Sequence, residues 1–532
     1  MMPTGDATDL PVMKTAKMNF TPNSRFWWLW CSVVVVACAI HLTTLTISPP
    51  YWLDEVQLID FGRVSLDPNS DWSITWSVED ERPWYHLSFL GSIMQEAAYR
   101  MAGSSSVGPR ISGILGAFVA GMVALGWLLS RGAPRAVSWF LGLALFLDPL
   151  FVRGYKGARV DAWAMACCLG SCWILRSALS RAHQRRPSRW VVMLAGGLAA
   201  AAPFVWPSAV ILYPLVLLEL VYLLHKVKEV EGWKEACSYL LVFAAGGIVF
   251  TALLLGPVWQ QFLWLLDNLQ GDVGRTVAKK SFVDSLLGSV QVFRGTSPIL
   301  PLLALVGAVF RREGGLIVAT VGAVVIVLLT SPYSHRFVYL LPYLLVLSAG
   351  FYQHLAEQGS VKNHRRVGTI ILMGLLAWSV GLTLVLRPVL AWGQKEARSP
   401  DILLEAAETS IGAGAHHVLV DPWEFYYAGR ALGWKIYRPH ISYDIDREKL
   451  LVRMDYAILP YDKKDTPYTE QLEKAGLRYK DTLLGEQDQR EEDEDNAMLS
   501  FIRRRGGAQP YGPYLLYARE RTKKDEVGYT CC

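Results

Sequence analysis

Two adjacent carboxylates, Asp54 and Glu55, stand in the stretch YWLDEVQ at residues 51–57, just beyond the first long apolar run. Three more polar groups sit beside apolar runs: ERPWYH at 81–86, RGYKGARVD at 153–161 and SHRF at 334–337. A carboxylate can accept a proton from a hydroxyl. A guanidinium can neutralise a phosphate through its fork of N–H donors. Carboxylates and arginines gathered at one membrane surface therefore suit an anionic lipid headgroup and a hydroxyl-bearing partner. Each group also has an ordinary reading. Asp54-Glu55 fits a solvated loop pair or a helix N-cap. Arg82 and Arg336 fit anchors for lipid phosphate. Arg159 and Asp161 fit an ion pair at a helix start, where the negative charge suits the helix dipole. His86 and His335 fit interfacial hydrogen bonders better than metal ligands, and the nearby Tyr and Trp fit the aromatic belt. Their joint occurrence favours a site.

Apolar spans must position these groups. The 532 residues are 52% hydrophobic and 19% charged, with 20 Trp, which excludes an ordinary soluble protein and fits a multi-spanning one. The net charge of +5 is spread too thinly for nucleic acid, and the basic clusters read as topology signals. Eight cysteines show no zinc or disulfide spacing; the final Cys531-Cys532 pair reads as a tail without a role, or as a lipidation site. Apolar runs fall at 27–48, 107–130, 136–151, 161–180, 190–206, 208–225, 236–257, 297–310, 314–331, 336–353 and 367–388. Eleven spans are thus expected.

The segment 84–102 decides the topology. Gln95, Glu96 and Arg100 are costly at bilayer depth, so it is expected to lie flat at the surface. The tail 1–26 and the clusters at Arg131–Arg135, 181–189, 226–235, Arg311-Arg312 and 354–366 then all fall inside. The loop 49–106, the loops 152–160 and 258–296 (with a second surface helix from WQQFLWLLDNL), the turn 330–336 and residues 390–532 fall outside. The domains expected are a cytoplasmic tail 1–26, a membrane domain 27–389 and an external domain 390–532. In the last, DILLEAAETSI, WEFYYAGRAL and TEQLEKAG read as helices and HVLV and DYAILP as strands, a small α/β layer. EEDED at 491–495 reads as a solvated loop.

The ordered set resembles the GT-C superfamily of polyprenyl-phosphate-sugar-dependent glycosyltransferases, in the branch of aminoarabinose transferases and protein O-mannosyltransferases. Asp54-Glu55 matches that family's acidic pair in the first external loop. Glu81, Arg82 and Pro83 match an acidic-basic-Pro-Pro element whose second proline is here Trp84. Arg159-Val160-Asp161 resembles an Arg-x-Asp element, and HRFVYLLPYLL a late span. The two-Trp, Asp, Tyr, Gly signature of oligosaccharyltransferases is absent. The resemblance covers roughly residues 27–353. It implies an all-α polytopic domain followed by an α/β domain, a polyprenyl-phosphate-linked sugar as donor and a hydroxyl acceptor of unreadable class. Asp54 is then expected as base or acceptor-orienting group, with Glu55 setting its hydrogen bonds. Arg82, Arg336 and Arg159 are expected near the donor phosphate, and Asp161 at the sugar or acceptor. Glu81, Tyr85, His86, Lys156 and His335 are possible substrate contacts. A single displacement would invert the anomeric centre. No obligate cofactor is expected, and a bridging divalent metal is left open. The external segments lack an N-glycosylation sequon, which suits a bacterial cytoplasmic membrane. The rival reading is a lipid or solute transporter, which would place polar sites at the midplane.

Overall fold

The computed structural model of the chain describes residues 24–74, 87–181, 186–263, 291–329, 334–357, 362–438, 447–485 and 510–520. In chain order these form α1 (Ser24–Leu42), α2 (Leu53–Leu66), α3 (Phe89–Met101), α4 (Val107–Ser130), α5 (Arg135–Phe146), α6 (Pro149–Lys156), α7 (Asp161–Arg181), α8 (Arg189–Val205), α9 (Tyr213–Glu231) and α10 (Trp233–Leu255). There follow α11 (Ile299–Arg311), α12 (Gly314–Leu329), a 3-10 turn (Ser334–Leu340), α13 (Leu341–Glu357), α14 (Lys362–Val380) and, after a π-turn, α15 (Arg387–Gly393).

Among the described residues six helices are long and apolar enough to cross a membrane, or seven if α5 and α6 form one span; α1, α8, α11 and α12 are shorter and apolar. Among the described residues each of the eleven apolar runs carries helix, and the run 27–48 passes into turns after Leu42. The run 136–151 breaks by 50° between Phe146 and Pro149. The break has a local cause. Asp148 caps α6 by accepting from the Leu150 and Phe151 amides, and Pro149 supplies a first-turn residue without an N–H.

Small residues draw the spans together. A Cβ on Gly116 would meet the Trp163 indole, and one on Gly126 would lie 2.5 Å from Trp173, so α4 and α7 run parallel in close contact. Gly62 plays the same part outside the main bundle: a Cβ there would overlap the Ser92 carbonyl, so α2 lies directly against α3.

The helix α3 has 13 residues, about 20 Å, too short to cross a hydrocarbon core. Gln95 and Glu96, which argued against a crossing, point into protein. Gln95 donates to the Ala158 carbonyl, and Glu96 pairs with Arg100 and Arg430. Most of the expected surface helix at 259–269 and the loop 491–495 lie outside the described residues.

The C-terminal part contains α16 (Pro400–Ser410), β1 (His417–Val420), α17 (Phe425–Ala431), β2 (Lys435–Tyr437), α18 (Arg447–Arg453), β3 (Tyr456–Pro460), α19 (Pro467–Lys474), β4 (Leu477–Leu483) and β5 (Tyr514–Arg519). They build one sheet of order β2-β1-β3-β5-β4; β2, β1 and β3 are parallel, and β5 runs antiparallel to both its neighbours, β3 and β4. Phe425, Tyr426 and Tyr427 of α17 pack with Tyr51, Val56, Ile59 and Tyr99, so this sheet sits on α2 and α3.

Candidate functional site

The helix α2 begins at Leu53, after Trp52 with its extended backbone, and carries Asp54 and Glu55 in its first turn, where the dipole favours negative charge. The helix α7 begins at Asp161 for the same reason. Between α6 and α7 the chain turns sharply, with Ala158 in the left-handed region at φ 52°. That turn delivers Arg159 between the two helix starts. Its Nε donates to Asp161 Oδ2 at 2.7 Å and its Nη1 donates to Asp54. Its Nη2 is buried and has no hydrogen-bond partner among the described residues. The Trp206 ring lies 5.4 Å from the guanidinium carbon. Asp54 keeps 16% side-chain exposure while Asp161 keeps 4%, so Asp54 is the more approachable carboxylate.

The late turn Ser334–Leu340 reaches the same place. His335 feels the charges of Arg159, Asp161, Arg336 and Arg153 at once, and buried Tyr339 interacts with Asp161. Arg153 is exposed and lies over Trp52 at 5.8 Å. The structure therefore gathers Asp54, Arg159, Asp161 and His335, with Arg336 beside it in the chain, from three distant parts of the sequence.

Glu55 is engaged elsewhere. It is fully buried, and Arg110 grips it with Nε and Nη2 at 2.9 Å each. Tyr427 of the C-terminal sheet domain donates to it at 3.0 Å. Glu55 thus ties α2 to α4 and to the sheet domain. Lys156 also turns away. It is buried, donates to Thr44 Oγ1 at 2.8 Å, and lies among the cations Arg110, Arg387 and Arg398. Glu81, Arg82, Tyr85 and His86 lie outside the described residues. Among the described residues no group of three or more His, Cys, Asp or Glu converges as metal ligands.

Several participants were not anticipated. Arg110, a charge inside the apolar run 107–130, was the visible signal for Glu55's partner. Trp206 and Tyr339 carried none. A second charged cluster, Arg131 with Glu219 and Glu313, lies about 30 Å along α4 from Arg110, at the other end of the bundle. The Asp54 group, Arg110 and the sheet domain all share one end.

Around the site aromatics are held protonated. Burial pushes the Tyr51 hydroxyl up to about 12, and it shares a hydrogen bond with Ser106. Buried Tyr427 is pushed well up by burial and by Glu55. Both hydroxyls therefore remain donors.

No family model and no curated protein matches this sequence. Solved structures do match. ArnT from Cupriavidus metallidurans bound to undecaprenyl phosphate superposes with a TM-score of 0.58 at 11% identity, covering 94% of this chain and 99% of that one. The apo state of the same protein gives 0.53 with the same identity and coverage. The chain thus has the GT-C fold of ArnT: a helical membrane domain followed by a mixed α/β sheet. It is an integral membrane protein with many spans.

Proposed function

We propose that this protein transfers a sugar from a polyprenyl-phosphate donor to a hydroxyl acceptor, at the membrane face that carries the sheet domain. The observation that carries the reading is Arg159 bridging Asp54 and Asp161 while a third guanidinium nitrogen stays buried and unclaimed among the described residues. The likeness to ArnT, whose structure holds undecaprenyl phosphate, supports the donor class.

Asp54 accepts the acceptor's hydroxyl proton as the new bond to the anomeric carbon forms. The bond from that carbon to the phosphate oxygen breaks, and polyprenyl phosphate leaves as the anion. The anion is a good leaving group, so no general acid is needed. Arg159 holds Asp54 in place and, with Arg336 and Arg82, meets the charge that develops on the phosphate. Asp161 fixes the Arg159 plane and contacts the sugar or the acceptor. One displacement of this kind inverts the anomeric centre. The face carrying the sheet domain is external, in a bacterial cytoplasmic membrane, and the N-terminal tail is cytoplasmic.

The test uses the purified full chain with radiolabelled polyprenyl-phosphate sugars and a mixed lipid and glycan acceptor extract. Wild type should release polyprenyl phosphate and label the extract, and Asp54→Asn should do neither. Movement of intact donor across a vesicle bilayer without transfer would replace this reading with the transport one.

A further inference from the structure

The sheet domain carries a second arrangement of polar and aromatic groups. Its three parallel strands end at one edge, and the chain reverses direction there. From β1 it crosses to β2 on one side, then returns past β1 to β3. The two connections cover opposite faces: Phe425 and Tyr427 pack with Val418 and Val420, while Leu450 and Met454 pack with Leu419 and Ala457. Such a reversal is the topological setting for a crevice at the carboxyl ends of the adjacent strands β1 and β3.

Residues after each strand meet in that crevice. Asp421, Trp423 and Glu424 follow β1, Arg438 follows β2 and Lys463 lies just after β3. Asp421 pairs with Lys463 at 3.3 Å. The Arg438 guanidinium lies over the Trp423 ring at 3.6 Å, which fixes its plane. Its Nε is buried with no partner among the described residues, although the Asp421 charge reaches it. Glu424, held near Asp421, has its carboxyl pushed up to about 7, first by burial.

The balance of charge selects the ligand. Asp421 offsets Lys463 and its charge also reaches Arg438, while Glu424 beside it is part protonated near pH 7, so a phosphate would meet carboxylate repulsion as well as one unbalanced cation. A sugar ring meets none. Each hydroxyl both donates and accepts, and adjacent hydroxyls span a carboxylate or a guanidinium edge. A planar aromatic stack with a few convergent polar groups is the usual make-up of a small-molecule site.

We infer that the crevice formed by Asp421, Trp423, Glu424, Arg438 and Lys463 is a saccharide-binding site that takes a neutral sugar ring, built from none of the membrane-domain residues. It does not rest on the transfer reading.

The experiment is saturation-transfer NMR on the full chain in nanodiscs, with the methyl pyranosides of glucose, galactose, mannose and arabinose as probes and inorganic phosphate as competitor. At least one pyranoside should receive saturation, and phosphate should leave it unchanged. Arg438→Gln and Lys463→Ala, each checked for an unaltered melting temperature, should weaken its Kd by about threefold or more, as expected for losing a hydrogen bond to a charged group. Asp54→Asn, which stops transfer under the reading above, should leave the Kd unchanged. No saturation on any pyranoside, displacement by phosphate, a smaller change in both folded crevice variants, or loss in Asp54→Asn would each overturn the assignment.

Discussion

Arg159 donates through Nε to Asp161 at 2.7 Å and through Nη1 to Asp54, a carboxylate 105 positions away in the chain. One guanidinium therefore fixes the separation of the two acidic groups proposed to act on substrate. Lysine keeps the charge but offers no rigid fork. Arg159→Lys should slow transfer roughly 10- to 100-fold with little loss of expression, because orientation is lost while neutralisation is partly kept. Arg159→Ala leaves two carboxylates close together without their cation and should cost about 3–5 kcal/mol of stability. Single-turnover transfer with labelled donor measures the first effect. A wild-type rate in Arg159→Lys would remove the bridge from the chemistry.

Asp54 and Glu55 are neighbours in sequence with opposite surroundings. Asp54 is partly open, while Glu55 is sealed between Arg110 and Tyr427. Their variants should separate accordingly. Glu55→Gln leaves the fully buried Arg110 without its counter-charge, and the fold should lose about 3–5 kcal/mol. The rate per folded molecule should stay near wild type. Asp54→Asn should melt near wild type and transfer nothing. Thermal unfolding alongside the transfer assay distinguishes them. A Glu55→Gln protein that melts normally and fails to transfer would return Glu55 to the reaction itself.

Patterns that follow from solvent were legible in the sequence. The apolar runs, the interruption by Gln95 and Glu96, and the strand HVLV all rest on hydropathy or on period, and each falls on a matching element. The joint placement of Asp54, Arg159 and Asp161 was legible only because helix starts favour carboxylates and the motifs kept their order. Partner choice was not legible. Nothing in DEVQ says that one carboxylate turns to Arg159 and the next to Arg110, since adjacent helical residues point about 100° apart and tertiary packing decides what each meets. The strands β4 and β5 were missed for a related reason. LRYKDTL buries only its end residues fully, so its alternation is hidden under surface charge. YLLYAR has an almost continuously buried run, which periodicity does not separate from a helix. The bend at Asp148 was visible as Asp-Pro inside an apolar run, but the run was long enough to pass for one straight span.

The sheet domain is held down by a charge clasp. Arg430 of α17 donates to both oxygens of the fully buried Glu96, at 2.8 and 3.0 Å, and stacks 4.1 Å from the Tyr99 ring centroid. The remaining partner of Glu96, Arg100, is half exposed and cannot replace a bidentate contact. Arg430→Ala should therefore loosen the sheet domain from α3 and cost about 3–5 kcal/mol. Limited proteolysis should cut between α15 and α16 faster than in wild type, while the membrane domain stays intact. Equal cleavage rates would show that the apolar contacts around Tyr51 and Tyr427 hold the domain alone.

Glu424 makes the stability of the sheet domain depend on pH in a direction opposite to that of a salt-bridged carboxylate. Burial, helped by Asp421 and opposed by a backbone hydrogen bond, pushes its carboxyl up to about 7 from an ordinary 4.5. Between these values the unfolded chain has released the proton and the folded chain still holds it. The folded state then binds more protons, so stability from this group falls as pH rises through the window and stays lower above it. Glutamine keeps the shape and cannot ionise. The melting temperature of wild type should therefore match Glu424→Gln at pH about 4, and drop below it progressively up to pH about 7. Other titrating groups shift both proteins together, so the difference between the two curves isolates Glu424. A difference that stays constant across that range would mean that Glu424 ionises freely in the folded protein.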